Sequence, residues 1–223
     1  MNITYQESGG NSARRHMIDG QLLPNEVTDE NVVDAIERVK REAFVPKERK
    51  GVAYIDKSIK VAEGRYLMEP LTFAKLLNAA DIRSDELVLD IAPATGYSSA
   101  VFSKLVETVV AIEEDEALAE IATKNLAEQE CDNVALLTAP HAKGLKKQGP
   151  YDIIFIGGMV DEVPQALLEQ LKENGRLLCV INDNGIGRAA LVTYKNKVKG
   201  VRILFDTSAP KLKGFEKTKK FEF

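Results

Sequence analysis

The apolar positions change their period along the chain. Thr28-Asp29-Glu30 is a helix-start signal, and Val32, Val33, Ile36 and Val39 follow at helical spacing; that helix should stop near Phe44-Val45-Pro46. Shorter helical patterns cover 13–21 and 71–80, with Ser84-Asp85 as a turn. From Leu87 onward short apolar runs alternate with amphipathic stretches. This predicts strands at 87–91, 108–113, 133–138, 151–157 and 176–182, and helices at 97–106, 115–128 and 162–172. Such alternation implies parallel strands joined by right-handed crossovers. It breaks at the end, where 189–194 and 201–205 are strand-like runs separated by 195–200, which reads as a hairpin. The fold class is therefore α/β and Rossmann-like: a mostly parallel sheet closed by an antiparallel C-terminal hairpin, with an N-terminal helical extension. Residues 1–80 are expected as the extension and 81–223 as the Rossmann-like domain. Residues 1–13 are polar and expected to fray. Residues 51–70 lack periodicity and read either as a functional loop or as a cover for the sheet edge.

The stretch Leu87-Val88-Leu89-Asp90-Ile91 followed by Ala92-Pro93-Ala94-Thr95-Gly96 is a strand running into a turn of small residues, and a helix pattern follows. That is the opening of a nucleotide-binding βαβ unit. Small residues let a ligand approach the backbone. Only Gly96 is a glycine; Ala92 and Ala94 hold the other two positions, at little cost if φ stays negative and at a large one if it must be positive. The next apolar run, Val109-Val110-Ala111-Ile112, ends in Glu113. Such folds place an acid about 20 residues past the turn, where it accepts hydrogen bonds from a ribose diol.

Composition narrows the classes. Of 223 residues, 44% are hydrophobic and 29% charged, which suits a globular chain able to bury a full core. A net charge of −4 gives no general attraction to polyanions, so no nucleic-acid partner is expected. The lysines at 211, 213, 217, 219 and 220 are interleaved with Glu216 and Glu222 and read as a solvated surface. Cys131 and Cys179 sit in different elements without metal-ligand spacing, and His16 and His141 are the only histidines, so no metal site is expected. No membrane-length apolar run and no secretory pattern at the N-terminus are present, and a cytoplasmic home is expected.

The residues resemble those of the protein-L-isoaspartate O-methyltransferases from about Arg14 to about Gly214. The resemblance is carried by Met17-Ile18-Asp19-Gly20-Gln21-Leu22, Val39-Lys40-Arg41-Glu42-Ala43-Phe44-Val45-Pro46, Ala53-Tyr54-Ile55-Asp56, the turn ending in Gly96-Tyr97, the acid Glu113, and Val163-Pro164 through Gln170-Leu171 to Gly175-Arg176-Leu177. It implies a Rossmann-like methyltransferase fold, S-adenosylmethionine as cofactor, and isoaspartyl-containing proteins or peptides as methyl acceptors, in a protein-repair reaction. It also implies cofactor contacts from Asp90, Ala92, Ala94, Gly96, Glu113, Glu114 and His141, and an acceptor-side role for Arg65 and Met68. An acceptor carboxylate is already nucleophilic at neutral pH. The chemistry then rests on positioning and desolvation, and no Ser/His/Asp set is needed.

Three signatures depart from the family pattern. Its loop resembling Gly-Gln-Thr-Ile-Ser-Gln-Pro stands here as Gly64-Arg65-Tyr66-Leu67-Met68-Glu69-Pro70, so Met68 replaces a serine hydroxyl and Glu69 adds an acid near an anionic acceptor. Its Gly-Asp-Gly stands as Ala139-Pro140-His141, without the acid that holds the adenine. The glycine turn keeps one glycine. Plain structural readings stand beside these roles: Asp90 as a turn cap, Gly96 as a packing glycine, Glu113 as a solvated strand-end acid, and Arg65 paired with Glu69 on the surface. A catalytically weak or silent relative, acting as a binding or assembly module, is the alternative function.

Overall fold

A computed structural model describes residues 9–217. Residues 1–8, together with Lys219, Lys220 and Glu222 of the lysine-rich tail, lie outside them. The first helix, α1 (Gly9–Met17), runs on into a wider turn at Ile18–Leu22. Helix α2 (Glu30–Arg38) starts where Asp29 accepts from the amides of Asn31 and Val32 at 2.9 and 3.3 Å, which satisfies two of its free donors. It ends at Val39, and Arg41–Phe44 and Lys47–Val52 follow as separate tight turns.

Residues 51–70, expected to be irregular, contain a small antiparallel hairpin of β1 (Ile59–Ala62) and β2 (Arg65–Leu67). Its strands are too short to set up a readable period. Gly64 makes its turn at φ 67°, a conformation that favours glycine. Pro70 then opens α3 (Pro70–Asn78) at the position where its missing N–H costs nothing.

The alternating runs form β3 (Leu87–Ile91), α4 (Tyr97–Phe102), β4 (Thr108–Glu113), α5 (Glu116–Glu128), β5 (Val134–Thr138), β6 (Tyr151–Val160), α6 (Gln165–Leu168), β7 (Leu171–Asp183), β8 (Ile186–Lys195) and β9 (Val198–Thr207). The seven-stranded sheet has the order β5-β4-β3-β6-β7-β8-β9. β3 to β7 pair in parallel, and β8 and β9 are antiparallel. The helix expected over 162–172 shrinks to α6, because Leu171 already pairs with Tyr151 and ladder hydrogen bonds replace helical ones. The closing strands are longer than their apolar runs. Asn196 and Lys197, at φ 52° and 62°, turn the chain so tightly that Lys195 pairs with Val198.

The sheet is buried on both faces. Leu89, Ile91, Ile154, Ile156 and Leu177 pack under Leu167 and Leu168 of α6. On the other face Val88, Ile153 and Phe155 meet Met17, Ile36, Phe44 and Phe73. Phe73 alone touches the rings of Tyr97, Phe102 and Phe155, with centroids 5.8, 6.2 and 5.4 Å away. Residues before position 80 thus share a core with the sheet. Cys131 and Cys179 are buried and unpaired, and burial pushes the Cys179 thiol up to about 12, as for a core residue. Among the described residues no helix is long and apolar enough to cross a membrane, and no group of three or more side chains could hold a metal ion.

Candidate active site

β3 and β4 lie side by side and deliver Asp90, the small-residue turn and Glu113 to one end of the sheet. Asp90 is fully buried. Its Oδ2 accepts from the hydroxyls of Ser98 and Ser99 at 2.7 and 2.6 Å, at the start of α4, while Oδ1 has no partner. Burial raises this carboxyl to about 6, against the two hydroxyl bonds that lower it. Asp90 ties the turn to the start of α4 and keeps one buried oxygen without a partner.

The turn keeps the backbone of a glycine-rich turn without its glycines. Ala92, Ala94 and Gly96 have φ of 62°, 55° and 99°. Both alanines are therefore in the costly conformation. Gly96 needs its positive φ and also lets α5 approach: a Cβ there would meet Leu126 and Ala122 at 3.3 and 3.4 Å. Gly157 on β6 closes over the turn, where a Cβ would stand 2.6 Å from the Ala92 carbonyl oxygen.

Glu113 is not a solvated strand-end acid; it is fully buried. Its Oε2 accepts from the Ala94 amide at 3.1 Å and its Oε1 from the Asp115 amide at 3.2 Å. Arg65 grips both oxygens, Nη1 to Oε1 at 2.5 Å and Nη2 to Oε2 at 2.6 Å. Burial works to raise the Glu113 carboxyl. Hydrogen bonds from His141 and Arg65, with the charge on Arg65, outweigh it and hold the group down at about 2. The partner read for Arg65 on the surface was Glu69. Instead Glu69 accepts from Ser208 and Thr72 hydroxyls at 3.2 and 3.3 Å, away from Arg65.

His141 is buried against the two acids. Its Nε2 lies 3.2 Å from Glu113 Oε1 and 3.1 Å from the Glu114 amide nitrogen. Only one of these is a hydrogen bond at a time: a protonated Nε2 donates to the carboxylate, an unprotonated one accepts from the amide. Glu114 closes the clamp by accepting from the His141 amide at 3.3 Å.

Met68 is buried and flanked by two small cavities. One, of about 10 Å³, lies among Gly64, Arg65, Gly158 and Pro210; the other, about 20 Å³, among Tyr66, Tyr97, Ser98 and Phe155. Each has room for about one water.

Arg41, given no role from sequence, joins the parts of this site. It is fully buried and donates from Nε to the Ala53 carbonyl at 2.8 Å and from Nη2 to the Met68 carbonyl at 2.7 Å. Its guanidinium lies 4.6 Å from the centre of the Tyr97 ring. The loop around Met68, the turn after α2 and the start of α4 are thereby fixed together. The only signal in sequence was its place in the Arg-Glu-x-Phe-Val-Pro phrase.

A parallel α/β sheet with an acid next to the last residue of β3, a second acid at the end of β4 and a closing antiparallel hairpin defines a methyltransferase-like architecture. Residues 12–206 match the family model described as protein-L-isoaspartate(D-aspartate) O-methyltransferase (PCMT), and the chain belongs to that family. It is 34% identical over 172 residues to the protein-L-isoaspartate O-methyltransferase of Opitutus terrae, covering 77% of this chain and 74% of the other. With the enzyme of that name from Methanoculleus marisnigri the identity is 31%, over 75% of this chain and 76% of the relative. A solved protein-L-isoaspartate O-methyltransferase superposes with a TM-score of 0.81 at 25% identity, over 91% of this chain and 67% of the other. The fold is also that of a Plasmodium falciparum protein solved with S-adenosyl-L-homocysteine, with a TM-score of 0.77 at 20% identity, covering 93% and 99% of the two chains.

Proposed function

We propose that this chain transfers a methyl group from S-adenosylmethionine to the carboxylate of isoaspartyl residues in damaged proteins. The observation that carries the reading is Glu113, a buried carboxylate at the end of β4, beside the left-handed turn that follows β3. The residues fit the cofactor. Glu113 would hold the ribose hydroxyls, the unpartnered Oδ1 of Asp90 would take a donor from the methionine end, and Ala92, Ala94 and Gly96, buried in this arrangement, would put little side chain between backbone and cofactor. His141 and Glu114 would border the adenine, whose amino group would need a backbone carbonyl in place of an acid. When bound, the cofactor supplies an electrophilic sulfonium methyl.

The chain's own part is to bind, orient and exclude water. Met68 and Arg65 face the acceptor in this reading. Met68 offers no hydrogen bond, and Arg65 supplies a cation. Residues 1–80 serve as the extension that carries this acceptor loop, and Arg41 positions it. The two buried free cysteines accord with a cytoplasmic home. A silent binding module is the less favoured reading, because Asp90 keeps a buried oxygen without a partner beside the turn where the cofactor would lie. The test is transfer of labelled methyl from S-adenosylmethionine to an isoaspartyl peptide and to its aspartyl isomer. Base-labile label on the isoaspartyl peptide alone is expected; label on neither would overturn the reading.

A further inference from the structure

The hairpin of β1 and β2 hydrogen-bonds to no strand of the main sheet. Its tie at this end is Arg65, the residue after the Gly64 turn. The pair with Glu113 is fork on fork, the strongest form of a charge-assisted hydrogen bond. Side-chain exposure is 12% for Arg65 and 0% for Glu113, so water barely competes with it.

A carboxylate has about four acceptor sites. Those of Glu113 are taken by two Arg65 nitrogens and by the amides of Ala94 and Asp115, and His141 Nε2 stands 3.2 Å from Oε1 as a further donor when it carries the proton. The amides belong to the turn and to the start of α5 and cannot leave. A ribose diol that spans both oxygens can therefore be accepted only in place of the guanidinium, the one donor that holds both. With the hairpin in this position the cavities beside Met68, about 10 and 20 Å³, are also far too small for a peptide side chain or a nucleoside. The ion pair and the closed cleft involve the same hairpin, so one movement relieves both.

We propose that Arg65 is an exchangeable acceptor-binding residue: Glu113 holds its guanidinium until a ribose diol takes that place, and the released hairpin then presents Arg65 to the acceptor carboxylate. This rests on the function proposed above. Two features support the second half. Arg65 and Met68 line one cleft. The neighbouring acid, Glu69, is turned aside by Ser208 and Thr72 and leaves the cation free to act once it parts from Glu113. Cofactor must then bind before acceptor.

The test uses the full chain, Arg65→Gln, and Arg65→Lys, which keeps the charge but loses the fork. Three quantities are measured: amide hydrogen exchange of residues 59–67 without ligand, calorimetric affinity for S-adenosylhomocysteine, and affinity for an isoaspartyl peptide with and without S-adenosylhomocysteine. In Arg65→Gln, exchange of 59–67 should rise at least tenfold and S-adenosylhomocysteine should bind at least tenfold more tightly, with Arg65→Lys between. The unaltered chain should bind peptide at least tenfold more tightly with S-adenosylhomocysteine present; Arg65→Gln should lose that difference. Unchanged exchange would mean that packing holds the hairpin, and overturns the proposal. Weaker S-adenosylhomocysteine binding by Arg65→Gln would make Arg65 a cofactor ligand, and overturns it too. Equal S-adenosylhomocysteine affinity in all three chains removes the exchange but leaves the proposed function standing. No binding by any of them removes both.

Discussion

At the scale of single residues, the cofactor-side turn carries backbone strain that its sequence does not relieve. Ala92 and Ala94 sit at φ 62° and 55°, where a Cβ meets the following carbonyl. Replacing each by glycine should stabilise the protein by roughly 1 kcal/mol, because the penalty for a side chain at positive φ exceeds glycine's extra chain entropy. Denaturant melts check this; loss of stability in both variants would contradict it. Asp90 gives a second expectation. Its carboxyl is raised from 3.8 to about 6, so the native state binds that proton more tightly than the unfolded chain does. Ionising Asp90 therefore costs stability progressively as pH rises from about 4 to about 6, and the full cost, roughly 3 kcal/mol, applies above that. Asp90→Asn removes it. Its stability relative to the unaltered chain should grow by about that amount between pH 4 and pH 7, whereas a difference independent of pH would contradict it. Glu113 works in the other direction and in a lower window. Held at about 2 against 4.5, it contributes stability at neutral pH that is lost as pH falls below about 4.5.

At the scale of elements, the strand–turn–helix unit was legible because β3 and β4 are buried apolar runs of ordinary length, each with an acid at or next to its last residue. Glu113 could be picked out from its spacing alone, as the acid that would hold a ribose. Its partner could not: Arg65 lies 48 residues earlier, and no periodicity says which cation will meet a given acid. The hairpin carrying Arg65 has strands of four and three residues, shorter than the window in which alternation can be counted. Asn184-Gly185 between β7 and β8, with φ of 52° and 94°, goes unread as a turn signal, because only the later hairpin stands out as a break in the alternation. Arg41 was illegible as a site residue because arginine is ordinarily exposed. Arg41→Lys keeps the charge but cannot reach two carbonyls and a ring at once. Leaving one buried carbonyl unpaired costs about 1–3 kcal/mol, so destabilisation in that range is expected in urea melts, with a rise in acceptor KM from the loosened loop. An unchanged midpoint and unchanged KM would show that Arg41 holds nothing in place.

At the scale of the whole molecule, the mostly parallel sheet and the closing hairpin followed from the change of period near Leu87 and again near Ala189, while the length of α6 did not, since strand pairing at Leu171 overrides a local helical pattern. Residues before position 80 bury Met17, Ile36, Phe44 and Phe73 against Val88, Ile153 and Phe155, so the extension and the sheet should unfold in one transition. Two separated transitions in a thermal melt, followed by near- and far-ultraviolet dichroism, would contradict that. The shared core also brings the β1–β2 hairpin onto the end of β4, and the Arg65–Glu113 pair is where the two meet. The most direct test of the whole account is calorimetric titration of S-adenosylhomocysteine into the unaltered chain and into Glu113→Ala. Hydrogen bonds to a charged group are worth about 1.5–3 kcal/mol, so the variant should bind roughly ten- to a hundredfold more weakly. Equal affinity in the two chains, or no binding by the unaltered one, would contradict the account.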